Sequence, residues 1–235
     1  MPTKRCVLAD PSDNTDFLNR YGRLVVKPVD GEQGAGVSVD IRDEQALRAA
    51  IEAARQHGRV LLEEFIEGQD LRILLIDYQV VAAAIREPAM ITGDGRLDVS
   101  ALIRKQSRRR AAATGGESRI PMDAETERCV KDAGYAMDTV LPAGTKLRVR
   151  KTANLHTGGV LLDVTDRLHP ALRQAAERAA QTLEIPVTGL DFIVQDPSQP
   201  DYAFIEANER PGLANHEPQP TAQRFIDLLF PETAR

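Results

Sequence analysis

The sequence predicts an α+β fold in two lobes, on three observations. Short β-type runs alternate with helical segments along the chain. Three such runs follow closely between residues 60 and 85, a β-rich centre. At 235 residues the chain can bury a core in each of two small lobes. Hydrophobic residues at 42% and charged ones at 28% are in the globular range, and no apolar run approaches the ~20 residues of a membrane helix, so no membrane partner is expected.

Taken in order, Leu24 to Lys27 and Val37 to Ile41 read as strands joined by a glycine loop, a hairpin with a mobile tip. Asp43 to His57 is a helix, because Ala46, Leu47, Ala50, Ile51 and Ala54 share one face and Gly58 stops it. Val60 to Ile66, Leu71 to Ile76 and Val80 to Ile85 read as strands, the last two paired across Asp77-Tyr78. Arg96 to Pro142 shows no sustained period and reads as helix and ordered loop, with a risk of disorder at Ala111 to Ser118. Leu147 to Arg150 is a short strand, and Pro170 to Leu183 a helix with Pro in its first turn. Val187 to Val194 and Tyr202 to Glu206 form a strand pair, and Ala222 to Leu229 a closing amphipathic helix. The opening, MPTKRCVLAD, lacks both the apolar core of a signal peptide and an obvious first element.

The chemistry begins at VVKPVDGEQGAGVSV, where Lys27 precedes Gly31, Gly34 and Gly36. In the Walker loop the glycines come first and a helix follows. Here strands flank the loop, so it is either a simple turn or a hairpin lid whose backbone approaches a phosphate. Far along the chain, TGLDFIVQDPSQPDYAFIEANERPG places Asp191 in one strand and Glu206 and Asn208 at the end of the next. Residues two apart in a strand share a face, and Asp191 joins them if the strands pair. Two carboxylates and an amide suit a nucleotide-bound Mg²⁺, which is usually shared with substrate phosphates, better than a closed Ca²⁺ cage. The plain alternative is a turn aspartate and a solvated strand end. Between these halves, LLEEFIEGQDLRI offers Glu63, Glu64, Phe65 and Ile66 to an adenine and Asp70 to ribose hydroxyls, with Phe65 and Ile66 as apolar walls or plain core.

These residues carry a resemblance. The order Lys27, glycine hairpin, Glu63-Glu64-Phe65-Ile66, Asp70, Asn154 with Gly158-Gly159, Asp191 and Glu206-Ala207-Asn208 resembles the ATP-grasp superfamily of carboxylate-amine ligases, from about residue 20 onward. KTANLHTGG, DVTDRLHP and GLDFIV are similar to the cyanophycin synthetase ligase domain. KPVDGEQGAGVSVDIR, KQSRRRAAATGGESRIP and IEANERPGLANHEPQPTAQRFIDLLFP are similar to the N-acetylglutaminylglutamine synthetases, which make an osmoprotectant dipeptide. The resemblance implies an ATP-grasp fold holding ATP between a smaller lobe, residues 1–66 with the lid hairpin, and a larger one, residues 67–235 with the metal-binding strands. It implies ATP and one or two Mg²⁺ ions, or Mn²⁺, as cofactors, and amide formation through an acyl phosphate. Amino-acid or dipeptide substrates follow, with a homodimer or the rest of a longer multidomain enzyme as partner. Arg150 and Asn154 are expected at the acyl phosphate and the tetrahedral intermediate, and Arg72, Lys151 and Arg210 add positive charge, Arg210 as a second-substrate contact, with a surface salt bridge the plain alternative for Arg72 and Arg210. Related enzymes carry a preceding domain and a second nucleotide-binding lysine. Their absence from this sequence raises the alternative of an ATP-binding fragment inactive on its own, beside that of a cyanophycin-synthetase-like or protein-modifying ligase.

A net charge of −5 and 4% aromatic residues argue against nucleic-acid binding, despite the run from Lys105 to Arg110, which reads first as a solvated helix face. His156 is a candidate polar contact, while His57, His169 and His216 read as helix-end or loop residues. Cys6 and Cys129 fit no metal spacing and suggest free thiols in a cytoplasmic protein.

Overall fold

The computed structural model describes residues 5–10, 13–30, 35–213, 216 and 218–233. The chain divides into two compact units, Arg5–Phe65 with Pro88–Val160, and Ile66–Glu87 with Leu161–Arg235. In chain order the first unit opens with β1 (Cys6–Leu8), α1 (Asn14–Tyr21), β2 (Leu24–Pro28), β3 (Ser38–Ile41), α2 (Glu44–Arg55) and β4 (Val60–Glu64). The four strands form an antiparallel sheet in the order β1-β4-β2-β3. Its core joins Leu24, Val26, Ile41 and Leu62 to Phe17 and Leu18 of α1 and Leu47, Ala50, Ile51 and Ala54 of α2. The apolar face read from the sequence is thus the buried face of α2, and the Asp43 carboxylate caps the helix by accepting from the Ala46 amide at 2.8 Å. β1 and α1 correct the expectation that the chain start holds no opening element. A three-residue strand and an eight-residue helix are too short to display a period. The hairpin tip with Gly31 and Gly34 lies outside the described residues.

The second unit begins with β5 (Gln69–Ile76) and β6 (Gln79–Glu87), joined as expected across Asp77 and Tyr78. Both turn residues have positive φ, 53° and 59°, as a type I′ hairpin turn requires. The chain returns to the first unit for β7 (Met90–Thr92), α3 (Val99–Ala113), α4 (Ala124–Asp132) and β8 (Lys146–Arg148), around a core of Ile91, Val99, Leu102, Ile103, Val130 and Leu147. Ala111 to Ser118 follows the helix-and-ordered-loop reading. The helix reaches Ala113, and the Ser118 hydroxyl, 2% exposed as a residue, donates to the Leu155 carbonyl at 2.5 Å. The basic run is only partly a solvated face: Lys105 pairs with Asp94 at 3.3 Å, and Arg110 donates to the carbonyl of Gly159.

β9 (Val160–Asp163), α5 (Pro170–Leu183), β10 (Val187–Val194), β11 (Ala203–Asn208) and α6 (Thr221–Leu229) complete the chain. The sheet order is β11-β10-β5-β6-β9. Leu71, Ile73, Leu75, Leu190, Phe192 and Val194 turn toward Leu172, Ala175, Ala176, Ala179 and Ala180 of α5. Strand residues alternate between faces, so residues 70, 72, 189, 191 and 193 occupy the other face. Among the described residues no helix is long and apolar enough to cross a membrane. Cys6 and Cys129 are both free thiols, as expected.

Candidate functional site

The face of the second unit's sheet opposite α5 collects charge. β10 pairs antiparallel with both neighbours, setting Asp191 opposite Arg72 on β5 and opposite Glu206 on β11, with Asn208 opposite Gly189. A register shift between Asp191 and Phe192 skips Ile205, and this bulge puts Glu206 directly across from Asp191. Two guanidiniums hold the Asp191 carboxylate. Arg86 Nη2 lies 2.5 Å from Oδ1, and Arg72 places Nη2 3.1 Å from Oδ2. Arg72 Nε is 2.6 Å from Oδ1 as an ion pair, and its N–H has no hydrogen-bond partner among the described residues. Burial pushes the Arg72 guanidinium below its ordinary value, while the Asp191 charge draws it back up. A Cβ at Gly189 would overlap the Arg72 guanidinium as it now lies, so the bare backbone there gives that side chain its room.

Asn208 Nδ2 donates to the Gly189 carbonyl at 3.3 Å and to Asp191 Oδ2 at 3.4 Å, leaving its Oδ1 as the donor a metal would use. Among the described residues no three His, Cys, Asp or Glu side chains gather as a metal cage. The set of Asp191, Glu206 and Asn208 is more open, two carboxylates and an amide on adjacent strands, and its donor chemistry fits Mg²⁺ shared with phosphates. The fit carries one condition: Arg72 and Arg86 occupy the Asp191 oxygens and would have to yield one of them. Asp70 lies opposite Arg86 in the β5–β6 ladder, Ile66 is half-buried, and Arg210 is exposed just beyond β11.

In the first unit, the Lys27 ammonium is 2.9 Å from Glu63 Oε1, and Glu63 is 5% exposed. Glu64 Oε1 accepts from the Arg5 amide at 3.1 Å. The Phe65 ring lies 4.1 Å beneath the Arg23 guanidinium, a cation–π contact. Gly36 has φ of 68°, and a Cβ there would fall 2.7 Å from His57 Cδ2 and 3.1 Å from Pro28 Cγ, so a side chain at this position would be strained and would crowd both rings. Arg150, 2% exposed, gives Nη1 to Asp123 Oδ1 at 2.5 Å and to Thr126 Oγ1 at 3.1 Å. Burial opposes ionisation of Asp123, but the Thr126 amide and Arg150 hold its carboxyl below the usual range. Arg150 Nε is buried with no hydrogen-bond partner among the described residues. Asn154 organises the turn behind it: Oδ1 accepts from the His156 amide at 2.8 Å and its carbonyl from the Gly159 amide at 2.8 Å.

Residues 1–99 match the family model described as a RimK-like ATP-grasp domain. A bifunctional glutathione synthetase from Pasteurella multocida superposes with a TM-score of 0.61 at 22% identity, covering 99% of this chain and 35% of that one. The fold is ATP-grasp. The ATP-grasp ligase PsnB, solved with a phosphomimetic precursor variant, Mg and ADP, superposes with a TM-score of 0.51 at 15% identity, over 97% of this chain and 54% of that one. A cyanophycin synthetase of Nostoc sp. is 35% identical over 238 aligned residues, 95% of this chain and 26% of that protein. The chain therefore spans only a fraction of the length of the relatives it matches.

Two residues of this ATP-grasp chain escaped the sequence reading. Arg86 is the penultimate residue of β6 in a plain run, and only the strand register brings it to Asp191. His216, read as a loop residue, is 8% exposed, and its Nδ1 has no hydrogen-bond partner among the described residues. Burial, then the charges of Arg72 and Arg86, push its imidazole below the ordinary value, with Asp163 opposing. The unfolded chain therefore binds the His216 proton more readily than the fold does. The resulting stability is complete above the unfolded value of ~6.5 and declines as pH falls from there toward the lower folded value. Urea titrations at pH 7.5 and 5.5 are expected to show a smaller loss for His216→Gln than for the wild type. Equal losses would place the pH dependence elsewhere.

Proposed function

We propose that this chain is the catalytic ATP-grasp portion of an ATP-dependent carboxylate-amine ligase. The observation that supports it most is the pairing of Asp191 with Glu206, with Asn208 two residues on, beside two guanidiniums on the sheet face opposite α5. The names of the relatives, synthetases and ligases, point the same way.

In this reading a substrate carboxylate oxygen attacks the γ-phosphorus of ATP. An acyl C–O–P link forms, the bond to the β-phosphate bridging oxygen breaks, and ADP leaves. An amine then attacks the acyl carbon, inorganic phosphate departs, and the amine loses its proton. Catalysis of this kind is chiefly positioning and neutralisation of charge. Lys27, held by Glu63, neutralises the nucleotide phosphates, and the hairpin containing Gly31, Gly34 and Gly36 covers them. Glu64, Phe65 and Ile66 border the adenine, and Asp70 meets the ribose. Asp191, Glu206 and Asn208 would hold Mg²⁺, which supplies charge neutralisation at the phosphates. Arg72 and Arg86 face the negative charge that develops on transfer. Arg150, through the donors not committed to Asp123 and Thr126, and Asn154 serve the acyl phosphate and the tetrahedral intermediate, and Arg210 the carboxylate of the second substrate.

The substrates proposed are N-acetylglutamine and glutamine, on the resemblance of residues 27–42, 105–121 and 205–231 to the N-acetylglutaminylglutamine synthetases. ADP release measured with Mg-ATP and both amino acids tests the proposal. It is expected to require both, with the dipeptide appearing in step. ADP release that ignores the amine, or no release beside measurable ATP binding, would leave a nucleotide-binding module instead.

A further inference from the structure

Asp40 sits in β3 with φ of 63°, a left-handed conformation that a residue bearing Cβ adopts at a cost, though Asp and Asn less than others. The β2–β3 register explains it. Leu24 pairs with Ile41 and Val25 with Val39, so Asp40 is the extra residue of a bulge. Bulges re-aim a side chain, and strained residues persist where the surroundings over-determine them.

The re-aimed carboxylate, 10% exposed, meets three cations: Arg23 Nε at 2.7 Å, Arg42 Nε at 2.9 Å and Lys151 Nζ at 3.2 Å. Two of these lead to residues of the proposed site. Arg23 carries the guanidinium over Phe65 at 4.1 Å, and its carbonyl accepts the Phe65 amide at 2.9 Å. Lys151 opens the segment that contains Asn154 and also reaches Asp132 Oδ2 at 3.0 Å on α4. Arg128, one α4 turn earlier, donates to the carbonyl of Val39, the neighbour of Asp40, at 2.7 Å. Against burial, the hydrogen bonds of Arg42 and Arg23 and the charge of Lys151 hold the Asp40 carboxyl far below the usual carboxylate range.

We propose that Asp40 is a positioning residue of the ligase reaction. Its bulged carboxylate fixes Arg23 over Phe65 on one side and Lys151 ahead of Asn154 on the other, so the adenine border and the acyl-transfer segment of this unit are set together. This rests on the ligase reading above. Asp40→Asn tests it, because Asn accepts the same backbone conformation and removes only the charge. The expected result is a roughly 10-fold rise in KM for ATP with a roughly 10-fold fall in kcat, the scale of a small misplacement of reacting groups. Lys151→Met is expected to lower kcat, and Asp40→Asn to lower it little further in that background. Arg42→Gln, at the exposed third contact, keeps both constants within about twofold. If Asp40→Asn does not fold, Lys151→Met carries the test from the other end of the same contact. Unchanged kinetics in the folded variants, or effects of Asp40→Asn and Lys151→Met that simply multiply, overturn the positioning role and leave the ligase reading standing. A wild type that neither binds nor turns over Mg-ATP sinks the ligase reading, and this role with it.

Discussion

On the proposed ligase reading, Glu206→Gln is expected to abolish nearly all amide formation, with kcat lower by roughly 10²–10³-fold, while the protein melts like the wild type. The size follows from the loss of one carboxylate that would hold Mg²⁺ at the phosphates, an effect of the order seen where single electrostatic groups have been removed from other active sites. The substitution keeps shape and an oxygen but removes a charge opposite Asp191. Stability is expected to hold because Glu206 is exposed on β11, and exposed substitutions usually stay within ~0.5 kcal/mol. Steady-state ADP release and a thermal melt on the same preparation check both halves. Turnover at the wild-type rate would remove Glu206 from the site.

Arg86→Met gives a split that no merely structural arginine produces. Arg86 Nη2 sits 2.5 Å from Asp191 Oδ1, so this guanidinium both occupies a proposed metal oxygen and adds a positive charge beside it. Its removal frees that oxygen and relieves repulsion of Mg²⁺, so half-saturation by Mg²⁺ is expected at about 10-fold lower concentration, equivalent to ~1.4 kcal/mol. The same removal takes a cation from the charge that develops on transfer, so kcat falls by about 10²-fold. Mg²⁺ titration of ATP turnover reads both at once. A variant that needs more Mg²⁺, or that keeps its kcat, would show that Arg86 only braces Asp191.

The long periodic elements were legible because their faces are what the core buries. α5 runs from Pro170 to Leu183 and β10 from Val187 to Val194, as the sequence indicates, since Leu172, Ala175, Ala176, Ala179 and Ala180 recur at helical spacing. The misses are short or locally unpatterned. β1 and β7 are three residues each, and α3 buries only Val99, Leu102 and Ile103 before its basic stretch. Glu206 and Asn208 were legible as neighbours because a strand's period of two needs no register. Arg86 at Asp191 and Asp40 at Lys151 depend on which strand lies beside which and where a bulge falls, and neither is written in a local pattern. His216 was hidden for a similar reason, since nothing in GLANHEPQP marks it as 8% exposed.

The acyl phosphate is the heart of the proposed chemistry, and isotope transfer reads it directly. With the donor carboxylate labelled in both oxygens by ¹⁸O, one labelled oxygen is expected in each inorganic phosphate released alongside ADP, because the carboxylate oxygen that attacks the γ-phosphorus departs with it. Unlabelled phosphate with amide product, or label recovered in AMP, would rule out this route and the roles assigned to Arg72, Arg86 and Glu206 within it.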